Sequence, residues 1–547
     1  MDTATTVSLP ASERPASGPH LDRPLHPVAR WVFLGVLIGA LGYAGGSILF
    51  DTREVGEGMA MATFAFLGLA LLIALGFEFV NGFHDTANAV ATVIYTHSLP
   101  APIAVLWSGF FNFLGVMCSS GAVAYAIVTL LPVDLILHVG SSAGFAMIFA
   151  LLLAAVMWNL ATWFVGLPNS SSHALIGSVL GVGLANQLLH GGDGSSGVDW
   201  GQAQKVLSAL LFSPLVGFVG SLVLLLVMKR LLPNPTFYKQ PASDAPPPRG
   251  IRATLIATCT AVSFFHGSND GQKGMGLIML ILIGCAPTAY ALNRTMPASQ
   301  TPAFITTANA AAAAFRAHGG QPGGNVAAAR AVLTRALETK KPIATPAYGA
   351  IETLAHDVSL RISSYGSLDK VPAAATPNLR NDMYLLQGIS QVVTKDKASE
   401  KTFSPDQLKA IGAYQKMLEQ GTRFIPVWVK IIVAVALGLG TMVGWKRIVV
   451  TVGEKIGKSH LTYGMGASAE IVAAFTIMTA DLFAAPVSTT HILSSGVAGA
   501  SVANGSGLQA RTIINMVLAW VMTLPAAMLL SGGLYWLLLG VVKFSAG

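Results

Sequence analysis

The chain has 547 residues, of which 53% are hydrophobic and only 11% are charged, and its formal net charge is +8. Soluble globular domains contain about 25% charged residues, so this supply is too small to cover a soluble body of the same size. Apolar runs such as 60–80 and 146–167 are long enough to cross a bilayer, which takes about 20 residues per helix. The composition therefore predicts an all-α polytopic membrane protein and excludes a cytosolic enzyme or a secreted disulfide scaffold.

The positive charge has an ordinary explanation in a membrane protein, because Lys and Arg collect in cytoplasmic loops. The lipid bilayer is therefore an expected partner and nucleic acid is not. The three cysteines lie in apolar segments and show no metal-ligand spacing, so we interpret them as packing residues. We expect no permanently bound cofactor and no resident metal.

In chain order, residues 1–30 are rich in Pro, Ser and Ala, which predicts a disordered lead. Segment 31–292 is expected to hold an anchor helix at 31–50, a first transporter repeat and the start of a second repeat, and 424–547 the remainder of that second repeat. The helix count between 97 and 174 stays open. The apolar segments after the anchor lie at about 60–96, 101–131, 144–167, 174–190, 205–228, 253–292, 424–444, 467–485, 487–504 and 512–540.

Segment 293–423 has a different composition, with 15 Lys and Arg, 9 Asp and Glu, and Ala-rich stretches of helical character. We predict a helical extramembrane insert. The basic loops at 229–252 and 446–458 belong in the cytoplasm by the positive-inside rule. One crossing lies between each of these loops and the insert, so the insert is expected on the opposite, periplasmic side.

Two apolar segments are interrupted by related polar clusters, Asn81-Gly-Phe-His-Asp-Thr-Ala-Asn88 and His266-Gly-Ser-Asn-Asp-Gly-Gln-Lys273. Alignment of the two clusters without a gap superimposes Asp85 on Asp270. In both clusters polar residues recur at i, i+4 and i+7, which is one face of a helix. The glycines beside each Asp predict local unwinding of that helix.

A second pair of related motifs lies downstream, Pro168-Asn-Ser-Ser-Ser-His173 and Pro486-Val-Ser-Thr-Thr-His491. Proline followed by hydroxyl residues is typical of a helix N-terminus. The stretch of chain between the two motifs is longer in the second half than in the first, and the insert 293–423 accounts for nearly all of the difference. Once the insert is removed, the two pairs of motifs have nearly the same spacing, which indicates a real internal repeat.

The topology gives the two halves opposite orientations, so we predict an inverted-repeat secondary transporter with broken or re-entrant helices. A charged residue at the centre of a membrane helix costs about 2.5–3.5 kcal/mol on insertion scales. Glu78, Asp85, Asp270 and Lys273 would together cost roughly 10 kcal/mol if they faced lipid. Their placement in a shared polar cavity removes that cost, although an Asp270–Lys273 ion pair that only fixes helix packing is a simpler alternative.

The chemistry of these motifs favours a small anion. Two helix N-termini that bear hydroxyls present free N–H groups and positive dipole ends. Carboxylates beside such a site are expected to bind a coupling cation, to carry protons, or to accept from a protonated phosphate oxygen. His173 and His491 are equally consistent with a structural hydrogen bond and with a proton relay.

The paired signatures and the Pro-x-Ser-Ser/Thr-Ser/Thr-His elements resemble those of the inorganic phosphate transporter (Pit) family, and most closely its bacterial low-affinity, proton-coupled members. The resemblance spans about 60–540. It implies multi-pass insertion in the cell inner membrane and uptake of inorganic phosphate by proton symport, as a neutral divalent-metal–hydrogenphosphate complex with magnesium. It carries binding roles onto Asp85, Asn88, Asp270 and the two hydroxyl clusters.

We therefore expect two groups of site residues. Substrate binding is assigned to Ser170, Ser171, Ser172, Ser488, Thr489, Thr490, Asn88 and Lys273. The coupling ion or proton is assigned to Asp85, Asp270, Glu78, His84 and Asn269. A homodimer is a further arrangement that the sequence leaves open.

Two positions depart from the signature of the family. His84 stands where the family has its first Asn, and Lys273 stands where sodium-coupled relatives have Asn. We interpret the Lys273 ammonium as a replacement for a sodium ion, which favours proton coupling. A sodium-coupled phosphate or sulfate symporter of the same fold is the main alternative.

Three other functions fit the sequence less well. An intramembrane hydrolase is disfavoured because Gly-x-Gly-Asp and Gly-x-Ser-Gly elements are absent around the aspartates and serines, so no enzyme activity is expected. An anion channel also uses helix dipoles, but it would not accumulate its ion. The loop 453–459 resembles a P-loop with incorrect spacing and is interpreted as a basic cytoplasmic loop.

Overall fold

The computed structural model describes residues 19, 21, 27–56, 61–128, 130–131, 141–189, 198, 200–241, 245–318, 325–339 and 345–546. Side chains are described at these positions except 62, 86–88, 142, 338–339, 345–346 and 542–546. The predicted disordered lead at 1–30 therefore lies almost entirely outside the described residues.

The described residues are mainly helical and contain no strand, apart from one isolated antiparallel bridge between Gly457 and Leu508. This confirms the predicted all-α class. The first eight helices are α1 (Pro27–Glu54), α2 (Met61–Tyr95), α3 (Ala101–Cys118), α4 (Ala122–Val128), α5 (Ser142–Val165), α6 (Ser171–Leu189), α7 (Trp200–Leu231) and α8 (Arg249–Cys285). They are followed by α9 (Pro287–Tyr290), α10 (Thr301–Arg316), α11 (Val326–Thr339), α12 (Thr345–Tyr365), α13 (Thr376–Lys395), α14 (Ser399–Thr402) and α15 (Pro405–Thr422). The last five are α16 (Val427–Gly440), α17 (Lys446–Val450), α18 (Tyr463–Leu482), α19 (Thr489–Asn504) and α20 (Ala510–Ala546).

Within the described residues, eight helices are long and apolar enough to cross a membrane: α1, α2, α3, α5, α6, α7, α18 and α20. The pair α15 and α16 meets the same criterion when taken together, and it is bent by 70° at the break between them. This number of spans agrees with the prediction of a polytopic membrane protein.

The predicted unwinding at the two signature motifs is wrong. Helix α2 runs without a break through Asp85, and α8 runs without a break through Asp270. The glycines serve close packing instead: a Cβ on Gly82 would lie 2.3 Å from the carbonyl oxygen of Leu437, and one on Gly267 would lie 2.1 Å from that of Asn112. Backbone of α16 and α3 therefore passes directly over these glycines, and a helix can satisfy this without unwinding.

The breaks in helix structure lie at the hydroxyl motifs. Helix α5 ends at Val165 and α6 begins at Ser171, while α18 ends at Leu482 and α19 begins at Thr489. Gly166 adopts a φ of +75°, which glycine tolerates best, and ends α5. The predicted helix starts after Pro168 and Pro486 are thus confirmed.

The described residues of segment 293–423 form helices α10 to α15, as predicted, with their own buried side chains. Phe304 and Phe315 of α10 are almost fully buried there, as is Tyr414 of α15. The two ends of the segment lie together, because the Asn293 amide donates to the Gly421 carbonyl at 2.8 Å. The described part of the insert therefore has its own core and adjacent ends, and its location outside the membrane remains a prediction.

Candidate functional site

Four elements converge on one buried polar centre, namely the middle of α2, the middle of α8 and the N-termini of α6 and α19. The polar side chains that they contribute are at most 2% exposed. They are Glu78, Asn81, His84, Asp85, His266, Asn269, Asp270, Lys273, Ser170, Ser171, Ser172, Ser488, Thr489 and Thr490. Burial of this many polar groups requires that they pair with one another or with a ligand.

The Asp85 carboxylate joins the two hydroxyl motifs. Thr490 Oγ1 donates a hydrogen bond to Asp85 Oδ1. On the other side, Ser171 Oγ lies 2.7 Å from both Asp85 Oδ2 and Asn81 Oδ1 and can donate to either. One carboxylate is thus held by a hydroxyl from α6 and a hydroxyl from α19. Both hydroxyls can rotate toward another acceptor, such as an oxyanion.

Lys273 lies at the second carboxylate. Its Nζ is 2.6 Å from Asp270 Oδ1 and donates to the hydroxyl of Ser172 and, at 3.4 Å, to the carbonyl of Val487. The Ser172 hydroxyl also donates to the Val487 carbonyl at 2.9 Å. An ammonium with no exposure is tolerated because a carboxylate and two neutral oxygens surround it.

The two helix N-termini face each other. Ser170 Oγ accepts from the His173 amide at 3.1 Å, and Ser488 Oγ accepts from the His491 amide at 3.2 Å. The imidazole rings of the two histidines have centroids 4.5 Å apart. The positive ends of two helices and their hydroxyls therefore meet at one point, which is favourable for an anion.

A triad of Asp85, His266 and Asp270 offers three ligand atoms that all lie within 4.8 Å of one another. His266 Nε2 is 4.0 Å from Asp85 Oδ2 and 3.7 Å from Asp270 Oδ2. The ring is held in place through its other nitrogen, which lies 2.7 Å from Asn112 Oδ1 on α3. Two carboxylates and a positioned imidazole can hold a cation or a proton next to the anion site.

Several buried atoms of the site have no hydrogen-bond partner among the described residues. They include Thr489 Oγ1, Asn269 Oδ1, Glu78 Oε1, His266 Nε2 and His491 Nε2. Buried polar atoms in native structures are nearly always paired with protein, water, an ion or a ligand. Their presence together in one buried polar centre is typical of a centre that binds a polar ligand.

The structure brings most of the predicted residues together, with differences in detail. Asn269 points to the loop before α19 and donates to the Ala485 carbonyl at 3.2 Å. His84 Nδ1 lies 3.5 Å from Asp85 Oδ1, and His84 Nε2 lies 3.4 Å from the Thr162 hydroxyl on α5. Glu78 lies a turn away, where Asn81 Nδ2 donates to it at 3.4 Å. The side chain of Asn88 lies outside the described residues.

Sequence reasoning missed the roles of His266 and Asn112. The alignment of the two signature motifs pairs His266 with Asn81, which was a usable signal because Asn81 borders the same carboxylate. Asn112 had no signal, since it is a lone amide in the apolar helix α3. A separate buried carboxylate, Glu470 on α18, accepts from Thr258 Oγ1 at 2.5 Å and also lies outside both motifs.

Comparison with known proteins identifies the family of the chain. A sequence model described as "Phosphate transporter family" matches residues 81–531. The low-affinity inorganic phosphate transporters PitA and PitB of Escherichia coli K12 are 41% and 40% identical to this chain. PitA aligns with 88% of this chain and 98% of its own length, and PitB with 87% and 98%.

Two more distant matches complete the comparison. A probable low-affinity inorganic phosphate transporter of Bacillus subtilis is 26% identical over 86% of this chain and 96% of its own. A solved structure described as "The sodium-dependent phosphate transporter" is 18% identical, with a TM-score of 0.46, over 87% of this chain and 99% of its own. These relatives are transporters and not enzymes. The family model over residues 81–531 and the extent of the PitA and PitB matches show that the chain belongs to the phosphate transporter family.

Proposed function

We propose that this protein takes up inorganic phosphate by proton symport across the cell inner membrane. The observation that carries the proposal is the meeting of two hydroxyl-bearing helix N-termini over a pair of buried carboxylates. The phosphate would lie between Ser170–Ser172 and Ser488–Thr490, where hydroxyls and free amides converge. Thr489 Oγ1, which has no partner among the described residues, is one donor that the substrate would satisfy.

The carboxylates give the site its second ligand. In the proposed mechanism a divalent cation such as Mg²⁺ travels with hydrogenphosphate, and its oxygen and nitrogen ligands come from the triad of Asp85, His266 and Asp270. The supporting distances are those of the triad, whose ligand atoms lie within 4.8 Å of one another. A neutral metal–phosphate pair has a low cost of transfer through a low-dielectric centre, because it carries no net charge.

Lys273 is proposed to replace a sodium ion. Its ammonium is surrounded by a carboxylate of Asp270, the hydroxyl of Ser172 and the main-chain carbonyl of Val487. These are the oxygen ligands that a small hard cation takes. Substitution Lys273→Asn should then open the position, and phosphate uptake should become dependent on a sodium gradient. Loss of uptake with no response to sodium would contradict this role.

The inverted repeat is proposed as the basis of alternating access. Gly82 and Gly267, which the alignment of the two signature motifs relates, both lie against backbone of a neighbouring helix. A Cβ at Gly177 of α6 or at Gly217 of α7 would likewise meet backbone, of α20 and α19 respectively. Each of these helices thus packs against a helix from the other half of the chain, which supports two halves that interlock around the site. A homodimer remains a further proposal.

The test is uptake of radiolabelled phosphate into proteoliposomes under an inward proton gradient, with and without magnesium. Accumulation that requires the proton gradient and increases with magnesium is expected, and Asp85→Asn should abolish it. Thr254→Ala, at an exposed hydroxyl of α8, is the matched control and should retain full uptake.

The same experiment separates the alternatives. Accumulation driven by sodium alone would retain the phosphate site and overturn proton coupling. Accumulation of sulfate in place of phosphate would overturn the substrate. Equilibration without accumulation under any gradient would indicate a channel.

A further inference from the structure

A water-accessible cavity of about 620 Å³ lies where the insert meets the transmembrane helices. Helices α4 and α7 line one side of it, and α13 and α15 of the insert line the other. Its remaining wall is the loop 483–486, which leads directly into the hydroxyl motif of α19. The cavity thus connects three parts of the chain, one of which reaches the buried site.

The charged side chains of this cavity are mostly cationic. Lys205 of α7, Lys395 and Lys416 of the insert, and Arg423 line it together with one carboxylate, that of Glu419. The three lysines are exposed. Glu419 is already engaged, because Arg423 Nη1 lies 3.4 Å away and the Gln415 amide donates to it at 3.2 Å.

A second carboxylate, that of Asp481, lies close to the loop 483–486 but does not neutralise the positive charge of the cavity. Its Oδ2 accepts from the Ser268 hydroxyl at 2.6 Å, and its Oδ1 accepts from the Gln272 amide at 2.7 Å. Both oxygens therefore point toward α8. The lining side chains of the cavity itself carry four positive charges against one negative charge among the described residues.

A single stretch of chain separates the cavity from the proposed phosphate site. Ala485 and Pro486 line the cavity. On the inner side, the Ala485 carbonyl accepts from Asn269, and the next carbonyl but one, of Val487, accepts from Ser172 and Lys273. A displacement of the loop 483–486 would therefore open a path from the cavity to the hydroxyl motifs.

We propose that this cavity is the outer vestibule of the transporter and that its lysines bind and concentrate inorganic phosphate as the free anion. The insert then has a function, since two of the three exposed lysines of the cavity belong to it. A concave surface with one sign of charge focuses the field and raises the local concentration of the opposite ion. The inference rests on the proposed phosphate uptake. It adds that phosphate arrives alone and meets its cation at the inner carboxylates.

The test compares two triple variants with the same change in net charge. Lys205→Gln, Lys395→Gln and Lys416→Gln remove the cavity lysines, while Lys397→Gln, Lys401→Gln and Lys409→Gln remove exposed insert lysines outside it. Phosphate uptake is measured in proteoliposomes of phosphatidylcholine alone, at low and at high ionic strength. This bilayer contains no anionic headgroups, so the lysines cannot act through bound lipid.

At low ionic strength the cavity variant is expected to show a KM for phosphate about tenfold higher than the wild type, with an unchanged maximal rate. The difference should shrink at high salt, because exposed charges are screened within about 3–10 Å. The control variant should match the wild type under both conditions. Equal KM values for the two variants, or a difference that salt does not reduce, would overturn the vestibule.

Two further outcomes are distinguishable. A difference that emerges only after anionic lipid is added would assign the lysines to lipid headgroups and would also overturn the vestibule. A wild-type protein that takes up no phosphate would instead overturn the proposed function, because the vestibule prediction concerns only the KM of an active transporter.

Discussion

The Thr490 hydroxyl donates a hydrogen bond to Oδ1 of Asp85, a residue that precedes it by 405 positions. Ser171, from the first half of the chain, lies at the other oxygen of the same carboxylate. The carboxylate on α2 is therefore held between the N-termini of α6 and α19. Any movement of one half against the other must change at least one of these two contacts.

We expect Thr490→Val to reduce phosphate uptake by about 10- to 100-fold. Valine has nearly the shape of threonine but no hydroxyl, and a hydrogen bond to a charged group contributes about 1.5–3 kcal/mol, where about 1.4 kcal/mol corresponds to a factor of ten. Thr490→Ser keeps the donor and should stay within about threefold of the wild type. Initial rates of proton-driven uptake are the measurement. Full activity of Thr490→Val would show that the hydroxyl contributes nothing to transport.

Substitutions at Asp270 and Lys273 should separate the effect of this ion pair on stability from its effect on transport. Asp270→Asn leaves the Lys273 ammonium, which has no exposure, without its carboxylate. The loss of one partner of a buried pair costs about 3–5 kcal/mol, so the melting temperature in detergent should fall. The double variant Asp270→Asn, Lys273→Met removes both charges and should recover most of that stability, but not phosphate uptake.

The outcome shows whether the ion pair only fixes the packing of the helix or is also required for transport. If the double variant regains uptake together with stability, the pair only fixes the packing of the helix, which is the simpler alternative noted from the sequence. If it regains stability alone, the charges are required for transport. The two readouts must come from the same preparation, since protein loss in the membrane would mimic loss of activity.

The sequence was sufficient to predict an all-α protein with many membrane spans, because a span of about 20 apolar residues has few other solutions. It also predicted the convergence of Asp85 and Asp270, since charged residues in membrane helices must share a cavity. The role of the glycines was predicted wrongly. A glycine that permits a turn and a glycine that admits a neighbouring backbone look the same in one sequence, and only the position of Leu437 over Gly82 decides between them.

Two other features were beyond the sequence for the same reason. The contact of His266 with Asn112 depends on how α3 packs on α8, and Asn112 has no periodic partner in the chain. The cavity beneath the insert depends on which face of α13 and α15 lies against the transmembrane helices. Alanine-rich composition predicts the helices of the insert but not the direction in which Lys395 or Lys416 points.

Gly82→Ala and Gly267→Ala should each destabilise the transporter strongly. A Cβ at either position would lie within 2.3 Å of a main-chain carbonyl oxygen, which cannot move without shifting a whole helix, and overpacking of this kind costs about 1–3 kcal/mol or more. Gly76→Ala, on the same helix α2 as Gly82, is the control, because a Cβ there would meet nothing within 4 Å. Melting temperatures in detergent should fall for the first two variants and not for the third.

The insert offers a last prediction that is independent of transport. Asp382 of α13 is fully buried and accepts from Arg330 Nε at 2.6 Å and from Arg330 Nη2 at 2.8 Å, and it also pairs with Arg361. Asp382→Ala would leave two guanidinium groups without their shared carboxylate. Both are partly exposed, so water offsets part of the loss, and we expect a cost of about 1–3 kcal/mol.

Limited digestion with trypsin measures this cost locally, because transient opening of the insert exposes its Lys and Arg bonds. Asp382→Ala should be cleaved within 293–423 about fivefold or more faster than the wild type, as expected from a loss of about 1 kcal/mol or more in the free energy of opening. Glu400→Ala, at an exposed carboxylate of α14, should be cleaved at the wild-type rate. Equal cleavage of all three proteins would mean that the arginines find other partners when Asp382 is removed. If Asp382→Ala is cleaved faster but keeps the wild-type KM for phosphate at low salt, the vestibule lysines hold their positions without this network.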